Sequence, residues 1–107
     1  MANVYTNAKV DLTTTNVTTL YTAPALTTSI VNSIIVSEDS GNADTITATI
    51  TDSASAVFSL FKTKAVSANA TTELLTAPLV LQTGEVLKVT AATAGRLHVV
   101  ASVLEIS

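Results

Sequence analysis

Threonine fills nearly one position in five of this chain, and threonine, valine and isoleucine together outnumber the charged residues several-fold. β-Branched side chains are stiff at χ1 and suit a pleated, half-buried surface, so such a chain favours extended backbone almost throughout. No stretch carries a convincing 3.6-residue apolar period. Residues 45–52 alternate instead, with Ile46, Ala48 and Ile50 facing one way and four threonines the other. Comparable runs cover 8–12, 17–21, 29–37, 57–65, 71–75, 85–91 and 96–106. Turn residues separate them, among them Pro24, Gly41-Asn42, Pro78, Gly84 and Gly95. About eight strands at this spacing predict an all-β fold, a single antiparallel β-sandwich of jelly-roll-like or Ig-like type. At 107 residues the whole chain, 1–107, reads as one domain.

The same composition limits the chemistry. Charged residues make up 12% of the chain, about half the usual share, and mean hydropathy is +0.51. Yet no apolar run approaches the ~18–20 residues of a membrane helix, so no membrane partner is expected. The five basic residues are dispersed as Lys9, Lys62, Lys64, Lys88 and Arg96, and net charge is −3. Nucleic acid is therefore not an expected partner. No basic and apolar leader opens the chain, and no cysteine offers a disulfide or thiolate site.

His98 is the one imidazole, and no nucleophile-elbow pattern accompanies it; two residues after Arg96, it reads as a structural residue beside a like charge. The loop Glu38, Asp39, Asn42, Asp44 offers oxygen ligands, but its spacing is not that of an EF-hand and such residues are common in turns. Scarce aromatic residues argue against a glycosidase cleft and weaken glycan binding. The expectation is a protein that is not an enzyme and has no cofactor and no metal.

The last run is two-faced. Leu97, Val99, Ala101 and Val103 share one side, and Val100, Leu104 and Ile106 lie with His98 on the other. A two-layer sandwich covers one face of each sheet, so the second apolar face calls for a neighbour. The expected interface residues are Val100, Leu104 and Ile106, the N-terminal Val4 and Tyr5, and the acidic pair Glu38 and Asp39, which would meet a basic patch on a partner. Residues 1–7 read equally as an arm that adds a strand to a neighbour's sheet or as a plain first strand.

Three stretches carry a resemblance: NVYTNAKVDLTTTNVTTLYTAP, IVNSIIVSEDSGNADTITATITD and LVLQTGEVLKVTAATAGRLHVVASVLEI. Together they resemble small virion structural proteins of tailed bacteriophages, notably marine and cyanobacterial ones. The resemblance implies a β-sandwich made in the host cytoplasm that assembles on the virion. A capsid decoration (cement) role would bridge major capsid protein subunits as a homo-oligomer, with a homotrimer favoured. A neck, tail-ring or tail-fibre component, or a receptor- or glycan-binding module, is the alternative.

Overall fold

Nine strands and no helix fill the computed structural model, which describes residues 3–107. They are β1 (Asn3–Leu12), β2 (Thr18–Thr22), β3 (Thr28–Glu38), β4 (Asp44–Thr51), β5 (Val57–Val66), β6 (Thr71–Glu73), β7 (Leu79–Leu81), β8 (Val86–Ala91) and β9 (Leu97–Ile106). Every pairing is antiparallel. One sheet runs β1-β9-β3, with β6 and β7 sharing the far edge of β3; the other runs β2-β8-β4-β5.

This order is that of one long hairpin rolled up. Its outgoing arm, β1 to β4, pairs in turn with β9, β8, the β6/β7 pair and β5, and the four rungs alternate between the two sheets. If β6 and β7 count as one interrupted strand, the result is an eight-stranded, double-sheet jelly roll. The Ig-like order, with its ABED and CFG sheets, is not the one found.

The interruption has a physical cause. Pro78 lacks an amide donor and cannot sit inside a ladder. Along the gap the Glu73 carboxylate stands in for a strand. It accepts Ile34 N at 2.8 Å and Leu75 N at 3.2 Å, while Leu74 N donates to Ile34 O at 2.8 Å. The strand expected over 71–75 is thereby cut to three residues.

The inner faces follow the period-two readings. Val31, Ile34, Val36, Ile46, Ala48, Leu87, Val89 and the Leu97, Val99, Ala101, Val103 set are 0–1% exposed and form one core between the sheets. An extra residue in β3, Asn32, shifts its register against β9 and keeps Ile34 and Val36 on the inner side despite the two-sided run before them. The threonines of β4 lie outward and half-buried, so β4 gives the outer face of the β2-β8-β4-β5 sheet a row of threonines, with Lys88, Val86 and Val57 beside them.

Tyr21 links the sheets. Its hydroxyl donates to Glu105 Oε2 and lies 2.8 Å from Ser29 Oγ, joining β2 to β9 and β3. Burial, then the Glu105 carboxylate, push the Tyr21 phenol up to about 12, the Ser29 contact acting the other way. A raised pKa stabilises the fold below the ordinary value of 10.0, and that stabilisation is lost as pH rises through about 12. In an ultraviolet titration of the two tyrosines, one phenol is expected to ionise only near pH 12. Complete phenolate formation well below that pH would mean the link is absent.

A candidate interaction face

Residues directly opposite in an antiparallel pair share a face, so the registers define the outer surface of the β1-β9-β3 sheet. One row across it is Tyr5, Leu104, Ile30 and Val80, from β1, β9, β3 and β7. A second, nearer the other end, is Lys9, Val100, Ile35 and Glu73, from β1, β9, β3 and β6. Between them lie Asn7, Ser102 and Ser33. Tyr5 is 79% exposed and Val80 53%, while Val100 and Ile35 are each exposed by nearly two-fifths. Leu104 and Ile30, in the middle of their row, are half-buried by its flanks. An apolar band thus crosses this outer face, while on the other sheet the exposed Val57 and Phe58 of β5 lie beside the threonines of β4.

The Lys9 ammonium has no ion-pair or hydrogen-bond partner among the described residues. Glu73 carries its charge at the opposite edge of the same row. Burial acts to raise its pKa, but donors outweigh it: Ser33 Oγ at 2.6 Å, Ile34 N and Leu75 N hold the carboxyl below the usual carboxylate range. Glu73 is therefore an anion at neutral pH.

The expected interface residues divide on inspection. Tyr5, Val100, Leu104 and Ile106 lie on this one face. Val4 does not: it is half-exposed but sits on the opposite side of β1, across from Glu105. Residues 3–7 form the first half of β1 and pair with Ser102–Ile106 of the same chain, yet all five side chains are exposed. They are zipped on by backbone rather than packed. Residues 1 and 2 lie outside the described residues.

Glu38 requires a correction. It is not a surface acid awaiting a partner but is 2% exposed. Its carboxylate accepts Ser40 N at 2.9 Å, Gly41 N at 3.0 Å, Asn69 N at 3.2 Å and the Ser40 hydroxyl. Gly41 adopts φ +84° in this turn, a conformation that favours glycine. The β3–β4 loop is thus wrapped around its own first acid. Asp39 alone of the pair faces outward.

Asp39 and Asp11 flank His98, with Nδ1 3.3 Å from Asp39 Oδ2 and Nε2 3.2 Å from Asp11 Oδ1. The expected like-charge neighbour is absent because Arg96 precedes β9 and escapes its alternation; its Nη1 donates to Ala43 O at 2.9 Å. Both imidazole nitrogens meet carboxylates, so neither is aimed at a hydroxyl nucleophile. Exposed pairs of this kind contribute about 0–1 kcal/mol each. They pin the acidic loop to the end of the sheet. Among the described residues no group of three or more His, Cys, Asp and Glu is placed to hold a metal ion.

Sequence reasoning missed Ile30, Ile35, Val80, Lys9 and Glu73. The signal for the isoleucines was present, since residues 29–37 are too apolar on both sides for a strand open to water. Nothing in the sequence sets β7 beside β3.

No protein-family model matches the chain, and no curated protein matches it. Among solved structures, a chain in the structure of infectious bursal disease virus Gt strain superposes on it with a TM-score of 0.51. The superposition covers 98% of this chain at 9% identity, and this chain spans 30% of the length of that one. At that identity the likeness is one of fold.

Proposed function

We propose that this protein is a virion structural protein, and specifically a capsid decoration (cement) protein of a tailed bacteriophage that stabilises the shell by bridging major capsid protein subunits as a homo-oligomer. The observation that carries the reading is the apolar band across the outer β1-β9-β3 face, on a domain with only 12% charged residues. A surface of that kind on a small sandwich marks a site of association. The rolled strand order supports the virion setting, since double-sheet jelly rolls are frequent in viral capsids. So does the fold likeness to a chain from a virus structure, which extends over nearly the whole domain. On a lattice, many weak attachments add up through avidity, which suits a domain of 11.0 kDa.

Copy number in purified particles tests this. A decoration protein is expected at a level comparable to the major shell subunit, and re-added protein should bind stripped particles to the same level. A few copies to a few dozen would place it in the neck or tail instead, and absence from particles would contradict a virion role.

A further inference from the structure

We infer that the outer face of the β1-β9-β3 sheet is a two-fold homodimer interface, with a second copy of this chain laid face to face on it. The inference rests on the reading above only for the need of a neighbour; the identity of that neighbour comes from the face itself.

Consider a two-fold axis in the plane of the face, parallel to the strands and midway between β9 and β3. It carries β1 of one copy over the β6/β7 edge of the other, and β9 over β3. In the first row Tyr5 then lies over Val80 of the second copy, and Leu104 over Ile30. In the second row Lys9 lies over Glu73, and Val100 over Ile35. The polar row between them sets Ser102 over Ser33. Apolar groups meet apolar groups in both directions, and the ion pair forms twice, as an isologous contact requires.

At the end beyond Lys9, Asp11 lies over Thr71 and His98 over Ser37, so no like charges are opposed. Turning the axis to run across the strands spoils the match: Glu73 would face Val80, and Lys9 would face Tyr5. The pattern therefore selects both the partner and the axis.

The face is also large enough to hold two copies together. Four strands about 4.8 Å apart, with outward side chains about 6.8 Å apart along each strand, present roughly 600 Å² per copy. Two copies bury roughly 1,200 Å², the lower bound for a specific interface. Aligned sheet-on-sheet packing of this kind is the ordinary geometry of two twisted sheets.

The absence of native cysteine allows a direct test. Tyr5→Cys and Val80→Cys are made as separate variants of the full chain, both at exposed positions whose change leaves the core intact. With a short bis-maleimide cross-linker, which can span the about 10 Å between face-packed sheets that a disulfide cannot, a 1:1 mixture is expected to give a covalent dimer, while each variant alone stays unlinked. The two positions lie at opposite edges of one face, so the cross-link can form only between copies related as described. Linkage in either variant alone, or none in the mixture, overturns the inference.

As a second measurement, Lys9→Glu replaces two attractive pairs by two repulsive ones and is expected to raise the dimer dissociation constant at least tenfold. An unchanged constant overturns it too, as does a trimer by light scattering. None of these failures bears on the presence of the protein in particles, which the copy-number measurement decides separately.

Discussion

Placing aspartate at Val99 is expected to unfold the domain, while placing it at Val100, one residue along, is expected to leave the domain folded and unassociated. The two residues are neighbours on β9 and differ only in the side of the pleat they occupy. Val99 is fully buried between the sheets, against a core that offers no partner to a carboxylate. An unpaired charge there costs several kcal/mol, comparable to the whole stability of a domain this size. Val100 is 39% exposed, between Lys9 and Ile35, so a carboxylate there stays hydrated in the lone copy. Against a second copy it would be desolvated beside the isoleucine. Circular dichroism separates the two variants by folding, and light scattering separates Val100→Asp from the parent by mass. Equal folding of both would mean that β9 has no buried side.

The second large effect concerns Glu38. Burial tends to raise its pKa, but the Ser40 hydroxyl and the Ser40, Asn69 and Gly41 amides outweigh this and hold it at about 2 against an ordinary 4.5. A depressed pKa contributes stability that is complete above pH 4.5 and is lost as pH falls through about 2. Glu38→Gln keeps the shape but turns one acceptor oxygen into a donor that faces amide donors. It is expected to lower Tm at neutral pH by roughly 10 °C, because each lost charge-assisted bond of a small domain moves Tm by several degrees. It should also flatten the loss of stability between pH 4.5 and 2 that the parent shows. A variant with the parent's Tm and acid limb would mean the loop is not built on this carboxylate.

Glu38 and His98 mark where the sequence stops being legible. Alternation within a strand is local, and the sides of β4, β8 and β9 could be read from it, as could the two-sidedness of β3. Whether an acid at a strand end points in or out depends on what folds over it. Here that is residues 40 and 41 of the following turn and Asn69 from the β5–β6 turn, thirty-one residues on. His98 likewise finds Asp11 because β1 pairs with β9 across most of the chain, a contact with no local signature. The interaction face has the same character. Tyr5, Val100, Leu104 and Ile106 were visible as a surplus of apolar residues. Their union with Ile30, Ile35 and Val80 into one band needed the rolled strand order. Pro78 and Glu73 together set that order at the β3 edge, by splitting one strand into two.

Oligomeric mass measured over a wide dilution series decides most directly whether the exposed band is an interface. A species heavier than 11.0 kDa that dissociates on dilution, and is reduced to a single copy by Val100→Asp, is the expected result. A parent protein that stays a soluble single copy at high concentration, indistinguishable from that variant, would contradict the account.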